Sequence, residues 1–392
     1  MLRFLTAGES HGKGLIGIIE GMPSGLAISK EYINHELKRR QQGFGRGSRM
    51  KIEFDEVELL SGIRWGKTLG SPITLFVKNR DWQNWEKAMN DDPQFEASIP
   101  PVTKPRPGHA DLPGIIKYRH SDVRNVLERS SARETAMRVA VGAIVKQFLK
   151  EFNIYIGSFV TKIGHAYMDI ELNNLNEKDL IELSTKADNS PVRCPFSETE
   201  SKMIEIINQA IENGDSVGGA FVIFATNVPI GLGSYVHWDR KLDGIIARAI
   251  MSIQAIKAVE IGDGIKLGDK FGSQLMDEIF YNGEFKKFYR KTNHMGGIEG
   301  GMSNGMPIVV KATMKPIPTL RKPLKSVDII TKEAVDAAYE RSDICAVPAA
   351  SIIGEAVVAW CIAQTFLEKF GGDSLTEIKA NYSNYLKELS QI

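Results

Sequence analysis

PAASIIGEAVVAWCIAQTFLEKF, residues 348–370, is the most apolar stretch of this 392-residue chain. It is apolar on most faces of a helix, and Glu355 and Gln364 interrupt it. The interrupted run is expected to be too short for a membrane span. A helix that is apolar almost all round belongs inside a large protein, covered on both sides. Two further stretches have the same character, SSARETAMRVAVGAIVKQFLK (130–150) and KLDGIIARAIMSIQAIKAV (241–259). Five short β-rich runs accompany them: GLIGIIEG (14–21), ITLFVKN (73–79), GSFVTKIG (157–164), GGAFVIFATNVP (218–229) and MPIVVKATMKP (306–316). Each is bounded by Gly, Pro or Asn, the usual strand punctuation. No steady strand–helix alternation appears, which disfavours a doubly wound parallel sheet. The expected fold is α+β, a layered sandwich with central helices between sheets.

Composition narrows the function. The 49 basic and 48 acidic residues leave a net charge of +1, so the chain has no bulk pull toward nucleic acid or membranes. Any strong anion site must come from local clustering. Three cysteines, Cys194, Cys345 and Cys361, form no metal-ligand spacing and suit a reducing cytoplasm. The start, MLRFLTAGESHG, turns polar too soon for a signal peptide. A cytoplasmic protein without membrane or nucleic-acid partners and without a metal is expected.

The stretch TAGESHGKGLIG (6–17) matches two motifs. GESHG fits a nucleophile elbow on Ser10, but the nine residues before it hold no upstream sheet, and a strand rather than a helix follows. GKGLIG fits a dinucleotide fingerprint, but again no helix opens within it. The third reading makes His11 the working residue, with the glycines giving it clearance. His109, in RPGHAD (106–111), is held in the same way among small and rigid residues. His35, in EYINHELKRR, reads as a solvated helix residue, and His120, His165 and His237 show no partner pattern.

The arginines are better organised. KRRQQGFGRGSRMK (38–51) sets Arg39, Arg40, Arg46 and Arg49 on and after a helix end. RSSARET (129–135) flanks Ser130 and Ser131 with Arg129 and Arg133 at a helix start, and Ser131 with Glu134 has capping-box spacing. A helix start flanked by arginines suits an anion, the alternative being a plain capped helix. RSDICAVPAA (341–350) repeats the theme with Arg341 and Asp343. KPIPT (315–319) is stiffened by its prolines. NHMGGIEGGMSNGMPI (293–308) is too glycine-rich for a regular element and suggests backbone packed against something flat or another subunit. The pairs RSSARET with RSDICAVPAA, and GESHG with NHMGG, form a weak echo that reads as an internal pseudo-duplication or as chance.

Taken in order, GESHGKGLIGIIEGMPSG, RPGHAD, RSSARETAMRVAVGA, MSIQAIKAVEIGDG, NHMGGIEGGMSNGMPI and RSDICAVPAA closely resemble the chorismate synthase family. The resemblance implies one catalytic domain over 1–392, helices between antiparallel sheets, and a homotetramer. It implies conversion of 5-enolpyruvylshikimate 3-phosphate to chorismate by 1,4-anti elimination of phosphate and the C6 proton. Reduced FMN is required without net redox change, and NADPH or a separate flavin reductase is the source of reducing power. His11 would protonate the departing phosphate, and His109 would stabilise reduced flavin near N1. Asp343 would act with flavin N5 on the C6 proton. FMN would meet Arg129, Ser130, Ser131, Gln254, Ala255, Gly300, Lys315, Pro316, Ile317, Pro318, Thr319 and Arg341. The substrate would meet Ser10, Arg40, Arg46, Arg49, Arg106 and Arg133, with Arg40 and Arg46 also contacting NADP. Two rivals stand beside this reading. One is a flavin-dependent oxidoreductase on a related anionic substrate. The other is an RNA binder using GFGRGSR, which near-zero net charge and the lack of interleaved aromatics disfavour.

Overall fold

The computed structural model describes residues 1–47, 54–96, 98–284, 286–340 and 342–391. Arg49 and Arg341 lie outside the described residues. The chain begins with an antiparallel hairpin of β1 (Arg3–Ala7) and β2 (Gly14–Glu20), followed by α1 (Lys30–Gln41). β3 (Val57–Ser61) and β4 (Ile73–Lys78) complete an antiparallel sheet of order β1-β2-β4-β3. Alternation in β4 explains its orientation, with Ile73, Leu75 and Val77 fully buried while Thr74 and Phe76 are only half-buried. Helices α2 (Trp82–Trp85), α3 (Asp111–Tyr118) and α4 (Arg124–Ser130) lead into α5 (Thr135–Lys150).

The second sheet uses β5 (Tyr155–Ile163), β6 (Ala166–Tyr167), β7 (Gly219–Thr226), β8 (Ile256–Ile261) and β9 (Ile308–Met314). Its order is β8-β9-β7-β5-β6, antiparallel throughout. Between β6 and β7 lie α6 (Glu177–Asp188) and α7 (Ser197–Glu212), both packed on this sheet. α8 (Leu242–Met251) precedes β8, and α9 (Val347–Phe370) and α10 (Leu375–Leu389) end the chain. α5 packs on β2 and β4 of the first sheet, α9 packs on β5 and β7 of the second, and α5 and α9 pack on each other. Their approach is close, since a Cβ on Gly142 would stand 2.3 Å from that of Ala356. The mixed, antiparallel α+β architecture follows from these contacts. The starts of these two mutually packed helices fall in the echoed segments, at Thr135 and Val347.

Three expectations need correction. The apolar stretch 241–259 is not one helix: α8 stops at Met251, and Ile256–Ile261 is a strand. Ser252 caps the helix, and Ala255 takes a left-handed φ of +66° in the turn just before the strand. Nor is α9 short; at 24 residues it is long and apolar enough to cross a membrane. Burial identifies it as a core helix instead, 78% of its most apolar window being inside the protein. Glu355, which breaks the apolar run, is fully buried and is met by Lys146 at 2.5 Å, Arg39 at 2.8 Å and Ser158 Oγ at 2.6 Å.

The glycine-rich segment 293–308 also differs from its reading in holding a regular element. It contains a small hairpin of Ile298–Glu299 and Met302–Ser303, and its close packing is against its own chain at Gly262, Lys241 and Pro307.

Candidate active site

Residues 8–13 form a hairpin loop between the antiparallel β1 and β2, so neither an elbow nor a dinucleotide fold is built on it. Gly8 starts it at φ +104°, and a Cβ there would lie 2.4 Å from Gly14 O. Only glycine fits that approach. The turn presents His11, whose Nδ1 is 2.7 Å from Glu128 Oε1. The backbone N–H of His11 donates to Glu128 Oε2 at 2.8 Å, and that of Ser10 donates to the Glu128 carbonyl at 3.0 Å. The imidazole stacks on Trp85 with centroids 3.9 Å apart. Asn79 Nδ2 holds the turn from below through the Gly12 carbonyl at 2.9 Å. Ser10 is buried, and its hydroxyl accepts from Ser131 at 3.2 Å. Ser131 also caps the short helical turn Ala132–Glu134, accepting from the Arg133 N–H.

His109 forms a second centre. Its Nδ1 is 2.5 Å from Asp111 Oδ1, and Arg106 donates to both oxygens of the same carboxylate, at 2.8 and 3.0 Å. Burial by itself would raise the Asp111 carboxyl. Hydrogen bonds from His109 and Arg106 outweigh it and hold the group well below the usual carboxylate range. Arg106 Nη1 reaches Thr319 Oγ1 at 3.0 Å, and Lys315 Nζ donates to the Gly108 carbonyl at 3.0 Å. The Lys315–Thr319 segment therefore lies along the His109 loop. Burial and nearby Lys257 depress the Lys315 ammonium. Ser342 Oγ donates to the Thr319 carbonyl, which brings the next residue, Asp343, into the same neighbourhood.

The arginines converge between these centres. Asp55 accepts from Arg40 at 3.1 Å through one oxygen and from Arg133 at 2.6 Å through the other. Asp343 accepts from Arg46 at 2.7 Å and from the Gly47 N–H at 2.7 Å. Burial drives the Arg40 guanidinium down to about 10; Asp55 opposes this, and Arg133 and Arg46 add to it. Arg40 Nε is buried with no partner among the described residues. A buried cation lowered by its like-charged neighbours is relieved by an incoming anion.

A cleft of about 430 Å³ opens beside β1, lined by Thr6, Arg129, Glu134, Arg138, Ser252 and Gln254 among others. It brings together Arg129 and Gln254, far apart in sequence. Arg129 donates to the Thr6 and Gly8 carbonyls at 2.8 and 3.1 Å. Gln254 Oε1 is buried with no donor among the described residues. The Ala255 carbonyl accepts from the Lys315 N–H at 2.9 Å, joining this cleft to the His109 side. Ser130 makes a long hydrogen bond, 3.5 Å, to the Leu127 carbonyl. Pro316, Ile317 and Pro318 run between Lys315 and Thr319, and the Ile317 carbonyl accepts from Ser216 at 2.6 Å. Gly300 stands apart from these contacts, at the tip of the 298–303 hairpin with open space where a Cβ would be.

Sequence reasoning missed the acidic partners. Glu128, Asp111 and Asp55 each orient a residue it had singled out, and Trp85 supplies the face under His11. For Asp111 a signal existed, since His-x-Asp allows one side chain to fold back on the other. For Asp55 and Trp85 none did, because their contacts with Arg133 and His11 are made only by the fold.

The chorismate synthase family model matches residues 2–367. A chorismate synthase of Aquifex aeolicus is 56% identical over 392 residues, covering 99% of this chain and 98% of that relative. One of Alkaliphilus metalliredigens is 57% identical over 385 residues, covering 98% and 99%. A crystal structure of a chorismate synthase superposes with a TM-score of 0.82 at 46% identity, covering 100% of this chain and 99% of the other. With similarity of sequence and fold running the length of the chain, it belongs to the chorismate synthase family.

Proposed function

We propose that this site eliminates phosphate and the C6 proton of 5-enolpyruvylshikimate 3-phosphate to give chorismate, with reduced FMN bound beside the substrate. The observation that carries the reading is the convergence of Arg40, Arg46 and Arg133 between two carboxylate-paired histidines. A phosphorylated dicarboxylate matches that charge, and arginine forks bind both group types bidentately. Net loss of one proton and one phosphate from the ring creates the new double bond, so atoms balance without an oxidant.

The residues of the cleft fit a flavin. The buried, undonated Gln254 Oε1 suits an N–H or O–H of such a ligand, and Arg129 and Arg138 offer positive charge in the same cleft. When bound, reduced FMN supplies electron density that assists phosphate departure and is recovered in the same oxidation state. Arg129, Gln254, Lys315 and Thr319 would hold it. His11 donates a proton to the leaving phosphate, and His109, oriented by Asp111, holds a proton at the opposite side of the pocket. Asp343 is the carboxylate that takes the C6 proton when substrate draws Arg46 away. Because Arg40 and Arg46 are also the residues expected to meet NADP, NADPH and substrate would compete for them. A homotetramer is supported by uncovered apolar residues on the first sheet, Leu5, Ile18 and Leu60, and on the hairpin bearing Tyr281 and Phe288. Reduction by a separate flavin reductase is part of the same reading.

Arg133→Lys tests the anion site. Charge is kept but the fork is lost, so substrate affinity should fall about tenfold or more, the value of a charged hydrogen bond of ~1.5–3 kcal/mol. Flavin affinity should stay at the parental level. Calorimetric titration of both ligands reads the difference, and parental affinity for substrate would remove Arg133 from the site.

A further inference from the structure

The contacts of Glu128 are spent almost entirely on the His11 turn. One carboxylate oxygen meets the imidazole Nδ1 at 2.7 Å, the other accepts the His11 N–H at 2.8 Å, and the backbone carbonyl accepts the Ser10 N–H at 3.0 Å. Glu128 is buried at 3% exposure, whereas His11 keeps part of its ring open. A carboxylate only accepts, so Nδ1 is the ring nitrogen that carries the hydrogen toward Glu128. Trp85 fixes the ring plane by stacking 3.9 Å away, and its own Nε1 is tied to Asp81 at 3.1 Å.

We propose that Glu128, with Trp85 as a platform, is the positioning residue that fixes the tautomer and orientation of His11. The proposal rests on the reading of His11 as the acid for the leaving phosphate. Other charged groups face this pair. Arg124, one turn before Glu128, lies 3.5 Å from its Oε1 and packs over the Trp85 ring. Glu340 stands 3.9 Å from Arg124. Glu9 and Lys13 flank His11 on its own turn, Lys13 over Trp82. Of these, Glu128 contacts the ring directly, and Arg124 stands behind it as the opposite charge on the same carboxylate. Removing the negative charge lets the imidazole lose its proton at lower pH. Removing Arg124 does the reverse.

The test uses full-length protein with Glu128→Gln, Glu128→Asp and Arg124→Gln. Diethyl pyrocarbonate, which labels neutral imidazole, is applied across pH, and labelling of His11 is read by peptide mass spectrometry. This needs neither flavin nor substrate, so it stands even if the parent releases no phosphate, an outcome that would instead defeat the proposed reaction. In Glu128→Gln the half-point of labelling should move to lower pH. Its kcat should fall roughly 10- to 100-fold, the range of outer partners that orient working histidines, with KM little changed. Glu128→Asp, keeping the charge, should restore the labelling curve and much of the turnover. If Glu128→Gln does not fold, Arg124→Gln decides, its half-point moving to higher pH. A parental labelling curve in either variant, or a loss of kcat matched by a rise in KM with the curve unmoved, would overturn the proposal.

Discussion

His11→Ala is expected to lower turnover about 10²- to 10⁴-fold, the usual range for a residue that transfers a proton in the rate-determining step. Substrate and flavin should still bind, because the arginines and the β1-side cleft hold them. Ser10→Ala should do much less. Its hydroxyl accepts a hydrogen bond from Ser131 at 3.2 Å, and such a bond is worth ~0.5–1.5 kcal/mol. Steady-state phosphate release from both variants checks the order. An inactive Ser10→Ala beside an active His11→Ala would sink this role for His11 and revive the nucleophile.

The second large effect concerns stability. Glu36, Glu355 and Asp188 meet Arg39, Lys146 and Arg193 where α1, α5 and α9 join β5. Lys146 bridges Glu36 and Glu355 at 2.5 Å each. Lys146→Met removes the cation that bridges two buried carboxylates and leaves Arg39 to hold both, and removing one partner of a buried pair typically destabilises by about 3–5 kcal/mol. Urea unfolding reads the loss, and a change under about 1 kcal/mol would contradict the role given to the cluster. The pH dependence has a definite sign. Burial would raise Glu355, but Arg39, Lys146 and Arg193 outweigh it and bring the carboxyl from 4.5 to about 2. A carboxyl depressed on folding stabilises fully above its unfolded value and loses that contribution as pH falls through its folded one. The cluster should therefore support the fold at neutral pH and fail between about 4.5 and 2. The next residue after Arg39 is Arg40, so this buried network also anchors the end of α1 that carries an anion-binding arginine.

How far the sequence reached depends on the range of the forces involved. Strands β2, β4, β5, β7 and β9 were legible because alternation and flanking turns are local. Helix α9 was legible as a core helix, but the reason for its Glu355 was not, since the partners come from α1, α5 and the Arg193 turn. The stretch 241–259 misled because a helix and a half-buried strand follow one another there, both apolar, with only the short turn from Ser252 to Ala255 between them. At the site, His11 and His109 stood out through their small neighbours. Glu128 did not, although it directly precedes RSSARET, because a glutamate inside a short helix usually reads as solvated surface.

The most direct measurement is an anaerobic assay of phosphate release from 5-enolpyruvylshikimate 3-phosphate by the purified chain, with and without photoreduced FMN. The expected result is one phosphate and one chorismate per substrate only when reduced FMN is present, with no reductant consumed from turnover to turnover. Release independent of flavin, no release at all, or one equivalent of reductant used per product would contradict it, the last pointing to an oxidoreductase in the same pocket.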